Sequence, residues 1–168
     1  MATQTFVPIA STLTTSDASS VTVSNIPQTY TNLFITVKTY STFTGDNGTR
    51  LQLRLNSDTS SSYSYSSVEG NGGTVYNEYG SDTYMWAGRN NNNFGGNTNK
   101  SLTLVNINGY SATNMFKGIL TKWSAPQNGR QVGMLTGTYR SLSGVTSVTF
   151  FTDSNMAAGT EIIVYGIL

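Results

Sequence analysis

Apolar residues in this chain alternate with polar ones, and this alternation limits the fold more than any other feature of the sequence. The clearest case is Leu51, Leu53 and Leu55, which are separated by Gln52 and Arg54. Successive side chains of a β-strand point to opposite faces of the sheet, so this segment predicts a strand with one buried and one wet face. The same pattern predicts further strands over residues 21–23, 33–37, 101–108, 114–123, 131–139, 145–151 and 160–168.

Short clusters rich in asparagine and glycine separate the predicted strands. They lie at residues 45–48, 71–73, 108–109, 127–129 and 158–159. Asn-Gly pairs tolerate positive φ and are typical of tight hairpin turns. A length of 168 residues corresponds to one domain. We therefore predict an all-β fold, a single-domain antiparallel β-sandwich over residues 1–168, in which residues 1–15 can extend as an N-terminal arm.

Two segments interrupt the alternation. Residues 57–67 are rich in serine and tyrosine, which predicts an edge strand with exposed tyrosines. Residues 84–100 contain four consecutive asparagines, Asn90 to Asn93, followed by two glycines. Because these residues offer little apolar surface to bury, the segment predicts a long surface loop.

The composition argues against most catalytic chemistry. The chain has no cysteine and no histidine, which excludes disulfides, thiolate nucleophiles, Ser-His-Asp triads and the commonest metal ligand. Only 10% of the residues are charged and the formal net charge is +1, so we expect neither a nucleic-acid nor a membrane partner. The N-terminus lacks the pattern of a secretory signal. We predict a protein that is not an enzyme and carries no cofactor or metal.

One group of acidic residues is close enough in sequence to be considered for acid–base chemistry. It consists of Glu69, Glu78 and Asp82, within a stretch rich in glycine and tyrosine. Glycoside hydrolysis needs two carboxylates that face each other across a groove. The interpretation that we favour is that these three acids lie on loops or edge strands and aid solubility.

Aromatic residues crowd the same central region, interleaved with polar ones. They are Tyr63, Tyr65, Tyr76, Tyr79, Tyr84 and Trp86. Two interpretations stay open: a face that binds a sugar or a protein, or cross-strand aromatic packing in a chain that is poor in aliphatic residues. Trp123 alternates in step with Ile119, so we predict that it belongs to the core.

Four segments together resemble small virion structural proteins of tailed bacteriophages. They are FVPIAS at residues 6–11, IPQTYTNL at 26–33, LQLRLNSD at 51–58 and AGTEIIVYGI at 158–167. The resemblance spans nearly the whole chain except residues 69–100, and its motifs are structural. It implies a jelly-roll type of β-sandwich, and trimers that sit over the joints between capsid subunits.

On this resemblance we expect a capsid decoration or cement protein that binds the outer capsid surface and stabilises the head. The expected partners are the major capsid protein and two further copies of the chain in a homotrimer, and the expected location is the virion. The alternative is a receptor- or glycan-binding module of a tail or head fibre, with a host-surface glycan as partner. The candidate interface residues are Phe6, Val7 and Ile9 in the N-terminal segment, and Tyr63, Tyr65, Tyr84 and Trp86 in the centre.

Overall fold

The computed structural model describes residues 5–45, 48–126 and 131–168, and they form twelve β-strands and one turn of 3-10 helix at Phe94–Gly96. This confirms the predicted all-β class and the single domain. The strands are β1 Phe6–Leu13, β2 Ala18–Val23, β3 Asn32–Ser41, β4 Thr49–Leu55, β5 Tyr63–Gly70, β6 Val75–Asp82, β7 Met85–Asn92, β8 Ser101–Asn108, β9 Lys117–Ala125, β10 Gln131–Tyr139, β11 Val148–Met156 and β12 Glu161–Ile167.

The strands form two sheets of unequal size. The large sheet has the order β1-β12-β3-β8-β9-β10-β5-β6, and the small sheet has the order β2-β11-β4-β7. Neighbouring strands are antiparallel except where the end of β3 runs parallel to β7, which joins the two sheets at Tyr40 and Ser41. Strand β7 packs across β8, β9 and β10 of the large sheet, so the domain is a β-sandwich.

The core lies between the sheets and follows the alternation seen in the sequence. Leu51, Leu53 and Leu55 of β4 are fully buried, which confirms the predicted buried face of that strand. Trp123 is 4% exposed and contacts Trp86 of β7, with ring centroids 5.5 Å apart. Its predicted place in the core is therefore confirmed.

The prediction of a surface loop over residues 84–100 is wrong, because its first half is the buried strand β7. Asparagine can be buried when its amide finds partners, and neighbouring strands and loops supply them here. The Ser101 hydroxyl donates to the side-chain oxygen Oδ1 of Asn90, and the side-chain amide of Asn91 donates to the backbone oxygen of Asn99 at 2.8 Å. Only the second half, after Asn92, is irregular.

The edge strand predicted over residues 57–67 is also wrong. Strand β5 lies inside the large sheet, between β10 and β6. Tyr63 is fully buried and stacks on Tyr139, with ring centroids 4.9 Å apart. Its hydroxyl accepts a hydrogen bond from the Leu55 backbone N–H at 3.0 Å, so the ring fills the core and the polar tip holds the β4–β5 loop. The edge of the sheet is β6 instead.

The strands place the loops at two ends of the sandwich, defined here by β3. The upper end, near Ser41, carries the β5–β6 turn, in which the Asn71 side chain accepts hydrogen bonds from the N–H groups of Gly73 and Thr74. The lower end, near Asn32, carries the β8–β9 and β10–β11 loops. The predicted turn at 127–129 and part of the one at 45–48 lie outside the described residues. In the three described ranges, no helix is long and apolar enough to cross a membrane.

Candidate interaction surfaces

The outer face of the large sheet, which points away from the small sheet, exposes a group of apolar side chains near the upper end. We call them the apolar patch: Val68, Val75, Leu102, Val132 and Met134, which are between 39% and 75% exposed. The sheet register places them in two adjacent rows across β8, β9, β10, β5 and β6. Single exposed apolar residues are ordinary, but a contiguous group indicates a binding surface.

Two grooves run through the apolar patch, one on each side of Lys122. The larger encloses about 480 Å³ between Val75, Val132 and Met134, and the smaller about 190 Å³ beside Leu102. Gly133, between Val132 and Met134, faces the core instead, where an added Cβ would lie 2.2 Å from the Trp123 ring, so this glycine leaves room for Trp123 beneath the groove. The grooves make the patch concave, so that apolar side chains of a partner can insert into it.

The lower half of the same outer face has the opposite chemistry. Ser64, Ser66, Thr136 and Thr138 line a groove of about 210 Å³ with hydroxyl groups. Tyr79 of β6 lies directly opposite Ser66 in the sheet register and is 83% exposed. An exposed aromatic ring beside a row of hydroxyls can stack on a sugar and hydrogen-bond to it.

The N-terminal candidates lie at the other edge of the large sheet. Residues 6–13 are strand β1, paired antiparallel with β12, so the described part of the predicted arm is a sheet strand. Phe6 is 46% exposed and makes edge-to-face contacts with Phe34 and Tyr165, with centroids 5.6 and 6.5 Å apart. Val7 and Ile9 are half-buried. Of the three, Phe6 offers the most accessible apolar surface.

The central aromatic candidates are mostly packed inside the protein. Tyr63 is fully buried and Trp86 is 1% exposed, so neither presents a surface to a partner. Tyr65 packs edge-on against Trp86 and Tyr84 against Phe151, and burial raises the pKa of both tyrosines. Cross-strand packing therefore accounts for these four residues.

The exposed aromatics of the central region are Tyr76 and Tyr79 on β6, which are 45% and 83% exposed. They belong to the crowded group in the sequence but were not singled out as interface residues. Strand periodicity places them on opposite faces, but it does not show that β6 is an edge strand. That information comes only from the pairing of β5 with β10 on its other side.

The three acidic candidates lie on β5 and β6, and two of them, Glu69 and Glu78, are paired with arginines of the small sheet. The Arg89 guanidinium donates to both oxygens of Glu69, at 2.9 and 3.1 Å, and Arg50 donates to Glu78 at 2.5 Å. Both guanidinium carbons lie within 5.2 Å of the centre of the Trp86 ring. We call these five residues the Arg–Glu cluster. The two positive and two negative charges of this cluster balance, and its hydrogen bonds connect the small sheet to the large sheet.

The third acid, Asp82, accepts a hydrogen bond from the Thr83 backbone N–H at 2.6 Å. Within the residues that the structure describes, no three acidic side chains are grouped so that they could hold a metal ion. The carboxylates of Glu69 and Glu78 each face an arginine. Glu69 lines the larger groove but Glu78 does not, whereas a glycosidase needs two carboxylates that face the same groove.

Comparisons of the chain with models of protein families, with curated proteins and with solved structures find no match. The function of this chain is therefore inferred from its surfaces.

Proposed function

We propose that the protein is a non-enzymatic structural protein of a tailed-bacteriophage virion, a decoration protein whose apolar patch binds the major capsid protein on the outer head surface. The observation that carries the proposal is the patch itself: five apolar side chains and two grooves on the outer face of the large sheet. Burial of such side chains contributes roughly 1.5–3 kcal/mol each. When many copies bind a repeating capsid surface, the whole coat is stable even though each single contact is modest.

The absence of catalytic side chains supports the non-enzymatic part of the proposal. The sequence has no histidine or cysteine, and the two best candidate acids, Glu69 and Glu78, are engaged by Arg89 and Arg50. The phage part of the proposal depends on the resemblance of the four sequence segments described above.

The strand order supports a jelly roll as the finer description of the sandwich. In a jelly roll, eight strands numbered along the chain form two sheets in the orders 1-8-3-6 and 2-7-4-5. If β2 to β8 and β11 are those eight strands, the small sheet β2-β11-β4-β7 has the first order. The large sheet has the second, with the β9–β10 hairpin inserted between β8 and β5 and with β12 and β1 added beyond β3.

The decisive experiment uses phage heads that lack this protein, to which purified protein is added back. Met134→Glu places a charge within the apolar patch, whereas the matched control Thr136→Glu places it two residues further along the same strand, in the hydroxyl-lined half. Co-sedimentation should show binding by the wild-type protein and the control, and at least a tenfold weaker binding by Met134→Glu.

Equal binding by both variants would contradict docking through the patch. A cryo-electron-microscopy map of the particle gives the location independently. Density repeated across the head supports decoration, whereas density confined to the tail or to one vertex contradicts it.

The hydroxyl-lined groove beside Tyr79 favours a second candidate function, a glycan-binding module of a fibre. Stacking on an exposed ring is the usual way in which neutral sugars are held, so Tyr79→Ala should abolish binding on a glycan array. Tyr76→Ala, which removes the other exposed ring of β6, is the control. A wild-type protein that binds no glycan eliminates this candidate.

A further inference from the structure

Among the described strands that end a sheet, β6 alone is long and exposed and has no proline, lysine or bulge to prevent pairing with another strand. The large sheet ends at β1 and β6, and the small sheet ends at β2 and β7. Strand β1 contains Pro8 and a register shift, β2 has only six residues, and β7 is buried along nearly its whole length. Strand β6 is eight residues long and keeps an unbroken register with β5. Long, flat edges without proline, lysine or a bulge are templates for a further strand.

The β5–β6 turn determines which backbone groups of β6 are available. The Asn71 N–H donates to the Thr74 carbonyl oxygen at 3.2 Å, so these two residues form a hydrogen-bonded pair. Such pairs alternate along an antiparallel ladder, which directs the N–H and C=O groups of Tyr76, Glu78 and Gly80 toward β5. The backbone groups of the odd-numbered residues of β6 therefore point to the open edge.

The side chains at these odd-numbered positions are uncharged, and two are highly exposed. Val75 is 75% exposed and Tyr79 is 83% exposed, the two largest values among the exposed apolar residues of the described chain. Asn77 lies between them. The charged residue of this segment, Glu78, points to the other face and is bound by Arg50 at 2.5 Å.

We propose that β6 pairs antiparallel with β6 of a second copy of this chain, about a two-fold axis at Asn77. In this register Asn77 lies opposite Asn77 of the other copy, and Val75 lies opposite its Tyr79. All three positions are hydrogen-bonded pairs, because their backbone groups point to the open edge. An aromatic residue opposite a β-branched one is a favourable cross-strand pair. A two-fold axis at Glu78 would instead place like charges opposite each other.

The self-complementarity of this edge is what identifies a second copy as the partner. One two-fold operation pairs both exposed side chains, leaves no charge opposite a like charge, and continues the large sheet into a sheet that spans two molecules. The contact is a strand edge and not a broad surface, so we expect a dissociation constant in the micromolar range. The proposal is independent of the capsid function and differs from the trimer that the sequence resemblance implies.

The first test is the molar mass of the full chain, measured by size-exclusion chromatography with light scattering at about 100 µM. Asn77→Lys places two lysines directly opposite each other at the axis, and Ser20→Lys, at an exposed position of β2 in the small sheet, is the control. The wild type and Ser20→Lys should be dimers and Asn77→Lys a monomer. A wild-type monomer, a trimer, or a dimer that Asn77→Lys does not dissociate would overturn the proposal.

The second test identifies the axis even if Asn77→Lys folds poorly. The chain has no cysteine, so a single introduced thiol can react only with its copy on another molecule. Paired residues of an antiparallel ladder are about 5.5 Å apart at Cα, within the range for a disulfide. Asn77→Cys should oxidise to a covalent dimer, whereas Ser81→Cys, on the same strand but away from the axis, should not. Equal cross-linking of the two variants would overturn the register.

Discussion

Two positive charges lie at opposite ends of the sandwich, one fully buried and one half-buried, and the protein accommodates them in different ways. At the lower end, Lys117 is fully buried, and its ammonium group donates to the backbone oxygens of Ala112, Met115 and Ser141 at 2.6, 2.9 and 3.2 Å. At the upper end, Arg89 donates to both carboxylate oxygens of Glu69 and lies over the Trp86 ring. One cation is bound by backbone and the other by an acid.

The difference shows what each charge stabilises. An ammonium group has three donors, and the three carbonyls it meets belong to two loops, so Lys117 fixes the β8–β9 loop to the β10–β11 loop. The planar guanidinium matches a carboxylate, so Arg89 fixes β7 of the small sheet to β5 of the large one. Burial lowers the pKa of Lys117, whereas the hydrogen bonds that Arg89 donates to Glu69 raise the pKa of Arg89.

The largest effect should come from removal of the lysine. Lys117→Met keeps the approximate volume but leaves three carbonyls without their donor, which should lower the free energy of unfolding by about 3 kcal/mol. Urea unfolding measures this change. Lys122→Met removes an exposed lysine from the same strand and should change stability by less than about 0.5 kcal/mol. Similar losses of unfolding free energy for the two variants would show that the hydrogen bonds from Lys117 to the three carbonyls do not stabilise the fold.

Removal of the arginine should have the next largest effect. Arg89→Met leaves the Glu69 carboxylate, whose side chain is 5% exposed, without its cation, and we expect a loss of about 2 kcal/mol. The double variant Arg89→Met with Glu69→Gln removes that orphaned charge and should recover part of the loss. If the double variant is less stable than the single one, the cost comes from lost packing and not from the buried charge.

The neighbouring arginine should matter less, although its surroundings look similar. Arg50 lies opposite Arg89 in the β4–β7 ladder and also lies over Trp86. Its side chain is 37% exposed and that of its partner Glu78 is 32% exposed, so water screens the pair. Arg50→Met should cost less than about 1 kcal/mol in the same unfolding experiment. A loss equal to that of Arg89→Met would mean that burial of the acidic partner does not determine how much stability is lost when its arginine is removed.

The sequence predicted the strands well where a strand had one apolar face. Leu51, Leu53 and Leu55 are an example, because their alternation with polar residues shows directly which side chains share the buried face. It failed at β7, where the buried asparagines hydrogen-bond to groups outside their own strand, such as the Ser101 hydroxyl and the backbone oxygen of Gly45. Composition indicates which residues can be buried without cost, but not which ones find a partner after folding.

The interaction surfaces were harder to predict than the fold. Val132 and Met134 follow the same alternation as Leu135 and Gly133, and the sequence does not reveal which of the two faces is covered by the second sheet. Likewise, Lys117 and Lys122 look alike in the sequence, yet one is buried and the other exposed. Such assignments depend on long-range pairing, which a local pattern does not contain.

The smallest effect should be a dependence of the lysine's contribution on pH. Because burial lowers the pKa of Lys117 below 10.5, the unfolded chain binds more protons than the folded one as the pH approaches that value. Stability of the wild type then rises with pH relative to Lys117→Met, so the stability deficit of this variant should widen between about pH 8 and pH 10. The deficit of Arg89→Met should stay constant, since arginine keeps its proton.

Three buried tyrosines act in the opposite sense but do not affect this comparison. Burial raises the pKa of Tyr63, of Tyr110 and of Tyr139, the last of which lies opposite Lys117 in the β9–β10 register. The folded state therefore holds these protons more tightly, and total stability falls as the pH rises above 10. The loss is common to all three proteins and cancels when each variant is compared with the wild type at the same pH. A Lys117→Met deficit that narrows with rising pH would mean that the three carbonyls hold the ammonium more strongly than burial penalises it.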